Sequence, residues 1–158
     1  MVPQLDGGLF LSDGGLETTL VYLEGVELPH FAAFVLLNDA AGRERLRRYY
    51  RPYLELCAGT LGAGFVLETP TWRASSDWGS LLGYDAAALA QANIEAVRLV
   101  SELREEWRPG IGWTRGPERH HRPCGDGYVV DAPSSVDDAA AYHRPQAAPQ
   151  HTLEIAMA

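Results

Sequence analysis

Cysteine is scarce in this chain: only Cys57 and Cys124 occur among 158 residues, too few for a disulfide framework. Basic charge is also short, with 13 Lys plus Arg against 21 Asp plus Glu and a formal net charge of −8. That balance argues against nucleic acid or an anionic membrane as a partner, since both call for a basic face. No run approaches the roughly 18 apolar residues of a membrane helix, and the N-terminus lacks a basic-then-apolar leader pattern. A soluble, reducing, cytoplasmic setting is the expectation. The length suits one domain by the usual prior of about 100–200 residues, and a 46% hydrophobic share leaves enough apolar surface for a core.

What is present is organised around Gly8-Leu-Phe-Leu-Ser-Asp-Gly-Gly-Leu-Glu-Thr-Thr19. Leu9 to Leu11 is a brief apolar run that reads as a buried strand. It stops at Ser12-Asp13-Gly14-Gly15, where two glycines permit positive φ and close approach to the main chain. A carboxylate on such a turn, at the carboxyl end of a strand, sits where α/β sheets put ligand chemistry. An ordinary Asx-type turn is the plain alternative.

Further along, Leu16 to Leu23 reads as a short helix closed by Gly25, and Leu28-Pro29-His30 breaks regular structure. His30 has no metal-ligand spacing around it and reads as a surface or capping residue. Asn38-Asp39 should cap a long helix whose buried side carries Leu46, Tyr49, Tyr50, Tyr53, Leu54 and Cys57. Pro52 should kink or interrupt it, and Gly59, Gly62 and Gly64 should end it. Phe65 to Glu68 reads as the second strand, ending in the polar cluster Thr69-Pro70-Thr71-Trp72-Arg73-Ala74-Ser75. Asp85 should cap a helix from Ala86 to about Trp107, with Leu89, Ala92, Asn93, Ala96, Val97, Leu99, Val100 and Leu103 inside. Asn93, polar on an inward side, must hydrogen-bond something. Strand, polar turn, helix, repeated, predicts parallel strands with chemistry gathered at their carboxyl ends, where Asp13 and Thr69 both fall.

Three pieces in order, Leu11-Ser-Asp-Gly-Gly-Leu-Glu-Thr-Thr19, Gly64-Phe-Val-Leu-Glu-Thr-Pro-Thr-Trp-Arg-Ala-Ser75, and Gly125-Asp-Gly-Tyr128 with Ala140-Ala-Tyr-His-Arg-Pro-Gln146, resemble the homocysteine S-methyltransferase family. The resemblance covers roughly residues 8 to 146 and matches that family's N-terminal half. It implies a partial (β/α)8 TIM-type barrel, about the first three to four βα units, in an α/β protein. It implies methyl transfer to the homocysteine thiolate to give methionine, from S-methylmethionine, betaine or a methylfolate. By the same resemblance Asp13 would pair with the substrate ammonium, Gly14 and Gly15 N–H groups would face its carboxylate, and Thr69 would lie beside it. Zinc activates the sulfur in this family through three cysteines, one in a later strand and a Gly-Gly-Cys-Cys pair near the C-terminus.

This sequence has neither, and Cys57 and Cys124 match no such position, so no metal ligand and no catalytic residue is assigned. A full barrel also takes about 250 residues, with 200 a low figure. The expectation is therefore a truncated family member, inactive alone. The alternative is a non-catalytic half-barrel that binds an amino acid or self-associates through open strand edges. The expected division is residues 1–107 as homocysteine-binding βα units, 108–124 as an irregular loop, 125–146 as a third helix region and 147–158 as a tail. In the loop, His120, His121 and Cys124 offer a metal three donors without a fourth, and a locally altered loop is preferred. Ser134 or Ser135 should cap the third helix, Pro145 should interrupt it, and Leu153-Glu-Ile155 reads as an edge strand.

Overall fold

The computed structural model describes residues 7–60, 63–113 and 135–157. Its centre is a parallel sheet of three strands in the order β1-β2-β3, formed by Phe10–Ser12, Gly64–Val66 and Gly112–Trp113. Phe10 pairs with Gly64, Leu11 with Phe65 and Ser12 with Val66, while Gly64 and Phe65 pair onward with Gly112 and Trp113. The register leaves Asp13 and the Leu67–Thr69 segment leaving neighbouring strands on the same side. Each strand feeds a long helix: α2 (Ala40–Thr60) after β1, α4 (Ala86–Trp107) after β2 and α5 (Val136–Met157) after β3. Parallel neighbours require such crossovers. The fold is thus α/β with three βα units, and the described strands form an open sheet; they do not close a barrel.

Between β1 and α2 the chain makes α1 (Leu16–Thr18), continued by a π-helical turn at Thr19–Leu23, and then two 3₁₀ turns at Pro29–Phe31 and Ala33–Asn38. Gly25 follows with φ 66°, the left-handed C-terminal stop the sequence called for. His30 and Phe31 also take positive φ, 53° and 57°, a strained pair directly after Pro29. His30 is exposed, with its ring 5.9 Å from that of Trp78. Below this loop Leu20, Ala32, Phe34, Leu46, Leu54, Phe65 and Val100 are fully buried and weld the helices to the sheet.

The α2 helix starts as the sequence predicts, with the Gly42 amide donating to Asp39 Oδ1 at 2.7 Å. Pro52 does not interrupt it, and it passes Gly59 to end at Thr60. Proline at this place removes one donor, and Arg48, whose carbonyl loses that partner, lies on the exposed side where water replaces it. The second strand, Gly64–Val66, is also shorter and earlier than Phe65–Glu68, with a single β-bridge further on at Glu68.

A short helix α3 (Ser76–Leu81) precedes α4, whose Asp85 cap accepts from the Ala88 amide at 2.8 Å. All eight residues assigned to the inner face of α4 are buried, joined by Ser101. Arg47 of α2 pairs across to Glu102 and, at 3.6 Å, to Glu106 of α4. At α5, Ser135 and Asp138 form a reciprocal cap: the Asp138 amide donates to Ser135 Oγ at 3.1 Å and the Ser135 amide to Asp138 Oδ2 at 3.2 Å. The helix continues through Pro145 and Pro149 to Met157, so neither the interruption at Pro145 nor the strand at Leu153-Glu-Ile155 occurs. Pro145 and Ala141, four residues before it, are exposed, which again lets water take the lost bond. Residues 114–134, with His120, His121, Cys124 and the Gly125-Asp-Gly-Tyr128 piece, lie outside the described residues.

Candidate functional site

The turn after β1 is built for exposure of its main chain. Gly15 has φ 102° and ψ 86° and starts α1, with its carbonyl accepting from the Thr19 amide at 3.1 Å. A side chain there would be strained whatever the space. Gly14 has little room of another kind: a Cβ would stand 3.1 Å from the Tyr53 hydroxyl. Helix α2 therefore presses directly on the Asp13-Gly14 backbone.

The turn after β2 is held as tightly. Thr69 and Thr71 are buried, their hydroxyls 2.7 Å apart, and the Thr71 amide donates to the Thr69 carbonyl at 2.8 Å. Asn93 on α4 reaches up to this loop and donates to the Ala74 carbonyl at 3.1 Å. From α5, Gln146 Nε2 donates to the Thr71 carbonyl at 3.0 Å and the Tyr142 hydroxyl to Asp77 at 2.5 Å. The Arg73 guanidinium lies 3.7 Å from the centre of the Trp78 ring and 4.7 Å from that of Trp72. Trp72 thus packs on a neighbouring side chain.

Between the two turns lies a cleft of about 200 Å³ lined by Asp13, Gly15, Leu16, Glu17, Tyr50, Glu68, Thr69 and Pro70. Asp13, Gly15 and Thr69, named from the sequence, meet here; Gly14 adjoins them on the Tyr53 side but does not line the cleft. Three carboxylates, from Asp13, Glu17 and Glu68, give the cleft a negative field suited to a cation.

Tyr50 of α2 lines the cleft, and Tyr49 stands behind Asp13. The Tyr49 hydroxyl donates to Asp13 Oδ2 at 2.6 Å and the Tyr50 hydroxyl to the Glu68 carbonyl at 2.9 Å. Burial, then the bond to Asp13 and its charge, push Tyr49 far above the ordinary tyrosine range. Burial also raises Tyr50, helped by the charges of Asp13, Glu17 and Glu68. Both hydroxyls therefore keep their protons and act as donors. Their part in the site, and that of Glu17 and Glu68, was not read from the sequence, where Tyr49 and Tyr50 counted only as core. The available signal was chemical: buried tyrosines at 49 and 50 need partners for their hydroxyls.

Metal ligands are another matter. Among the described residues no group of three or more His, Cys, Asp or Glu side chains is placed to hold an ion. Cys57 is fully buried between α2 and the sheet, its Sγ donating to the Gly64 carbonyl at 3.9 Å, and burial raises its thiol pKa. A zinc ligand needs the thiolate, which this environment disfavours. His143 packs its ring edge-on to Tyr142, with centroids 5.0 Å apart.

The arrangement defines an α/β protein with a small acidic cleft at the carboxyl ends of parallel strands. The chain belongs to the homocysteine S-methyltransferase family, whose sequence pattern it matches over residues 10–157. Among solved structures it is similar to the metallated form of the homocysteine methyltransferase MmuM from Escherichia coli, at 24% identity and a TM-score of 0.64. That likeness, which supports the fold, covers 96% of this chain and 53% of MmuM, so the chain spans about half the length of that enzyme. A search of curated protein sequences gave no match. A partial barrel fits this likeness.

Proposed function

We propose that this chain forms the amino-acid-binding part of a homocysteine S-methyltransferase, and that its three βα units are a segment of a (β/α)8 barrel. The observation that supports this most is the meeting of Asp13 and Thr69, from adjacent strand ends, in one acidic cleft in a member of this family. In this reading Asp13 pairs with the homocysteine ammonium, and Thr69 lies beside the substrate. The Gly14 and Gly15 amides face its carboxylate, as successive backbone N–H groups in a tight turn do for anions. The methyl donor is S-methylmethionine, betaine or a methylfolate. A reducing cytoplasm suits the reaction, because homocysteine must arrive as a free thiol.

Zinc in this family favours the thiolate of the substrate, the nucleophilic form. The described residues do not fit that ion, for the reasons given by the buried Cys57 and the lack of a donor cluster. No step is therefore assigned to a metal here, and we propose that its ligands come from outside this chain. A non-catalytic module that binds an amino acid is the second reading, favoured by the same mismatch between cleft and metal.

The test is the full chain of confirmed mass, assayed for bound zinc and for methionine formation with each donor. Homocysteine binding without stoichiometric zinc or turnover is the expected outcome, with turnover appearing only when the missing ligands are supplied on a second polypeptide. Stoichiometric zinc with turnover by this chain alone would overturn the claim about ligands and direct attention to His120, His121 and Cys124.

A further inference from the structure

We propose that Tyr49 is the positioning residue for Asp13: its hydroxyl fixes the orientation of that carboxylate and keeps it ionised. The inference rests on the assignment of Asp13 to the substrate ammonium and adds a residue to it. The geometry is specific. The hydroxyl stands 2.6 Å from Asp13 Oδ2, and Tyr49 is only 4% exposed. Its ring is held edge-on by Tyr50 and tilted against Tyr53, at centroid distances of 5.2 and 5.5 Å. Tyr53, one helical turn on, places its hydroxyl against Gly14, so a single face of α2 fits both residues of the turn. A ring clamped on two sides has little freedom to aim its hydroxyl elsewhere.

The surroundings explain why Asp13 needs such a donor. Glu17 from α1 and Glu68 from the turn after β2 line the same cleft with Tyr50 of α2, while the Tyr53 hydroxyl stands beside Gly14. Two neighbouring carboxylates favour protonation of Asp13, and a protonated Asp13 no longer attracts an ammonium. A hydrogen bond donated to the charged form opposes this. Tyr49 supplies it throughout the working range, because its own proton is held by burial and by Asp13.

The experiment follows the Asp13 carboxyl carbon by NMR from acid to neutral pH, in the full chain and in Tyr49→Phe, with Asp13→Asn identifying the signal. Homocysteine affinity is measured across the same range. Tyr49→Phe keeps the ring, and should raise the Asp13 midpoint by about one pH unit. It should weaken homocysteine roughly tenfold at neutral pH, with the acid limb of binding moved upward. Unchanged titration and unchanged affinity would overturn the proposal. If Asp13→Asn binds homocysteine like the parent, the ammonium assignment fails, yet a shifted Asp13 midpoint in Tyr49→Phe still upholds the role of Tyr49. Should Tyr49→Phe not fold, the parent chain answers alone: a deuterium isotope shift on the Asp13 carboxyl from the Tyr49 hydroxyl supports the bond, and its absence overturns it.

Discussion

Replacing Asn93 by alanine should loosen the loop that carries Thr69. Asn93 is 1% exposed, and its Nδ2 donates to the Ala74 carbonyl at 3.1 Å and to the Leu89 carbonyl at 3.0 Å. The Leu89 carbonyl lies within α4, where the helix supplies its own donor, so little is lost there. The Ala74 carbonyl belongs to the loop after β2, and truncation leaves it facing a void. An unsatisfied buried acceptor costs about 1–3 kcal/mol, and the cavity adds roughly 1 kcal/mol. The sum, about 2–4 kcal/mol, is a large part of a typical domain's stability. With a urea slope of about 1–3 kcal/mol per molar, the midpoint should fall by roughly 1–2 M. Asn93→Asp sharpens the test, because a carboxylate would set an acceptor against the Ala74 carbonyl. Burial raises the pKa of such a group. Its folded state then binds a proton more tightly than its unfolded state, so stability is gained as pH falls through the raised folded value. Asn93→Asp should therefore be worse than Asn93→Ala at neutral pH and recover on mild acidification, when the protonated acid donates to Ala74. A midpoint change near zero in Asn93→Ala, or no recovery in Asn93→Asp, would refute this account of the loop.

Three further outcomes are expected. Burial alone would raise the Asp77 carboxyl, but hydrogen bonds from Ser75, Tyr142 and the backbone outweigh it and hold it below the ordinary value. Its contribution is thus present above the unfolded carboxylate range, near pH 4, and is lost as pH falls through the depressed folded value. Acid titration of stability should show Asp77→Asn weaker than the parent at neutral pH and converging on it in acid. Gly42→Ala brings a Cβ to 2.1 Å from the Leu36 carbonyl oxygen, so thermal unfolding should show a loss of at least about 1–3 kcal/mol. Gly59→Ala, also in α2 but with nothing within 4 Å of the new Cβ, should instead gain about 0.4–1 kcal/mol.

Much of the fold could be read from local pattern. Helix α4 was legible throughout, since its Asp85 cap and its three- and four-residue apolar spacing point to one answer. The need for a partner at Asn93 followed from its inward place on the helix, but its partner outside α4, Ala74, is 19 residues away and only packing names it. The interruptions expected at Pro52 and Pro145 do not occur. Pro52 and Pro145 each cost one helical bond, and each lies on an exposed side where water replaces it, which periodicity does not reveal. Asp13, Gly15 and Thr69 could be named as candidates because strand ends with Asp, Gly and Thr carry a local signal, and the fold brings the three to one cleft. Tyr49 was not found, because its hydroxyl meets Asp13 across 36 residues and tyrosine in a helix reads first as core. Glu17 and Glu68 were missed for the same reason: their common cleft exists only once two parallel strands are paired.

The central claim is that Asp13 receives the ammonium of homocysteine in the cleft between the first two strand ends. Calorimetric titration of L-homocysteine into the full chain and into Asp13→Asn tests it most directly, with the same amino acid lacking its ammonium charge as the control ligand. The account predicts saturable binding by the parent, loss of most of that affinity in Asp13→Asn, and no binding of the uncharged control by either. Equal affinity of parent and Asp13→Asn for homocysteine would contradict it.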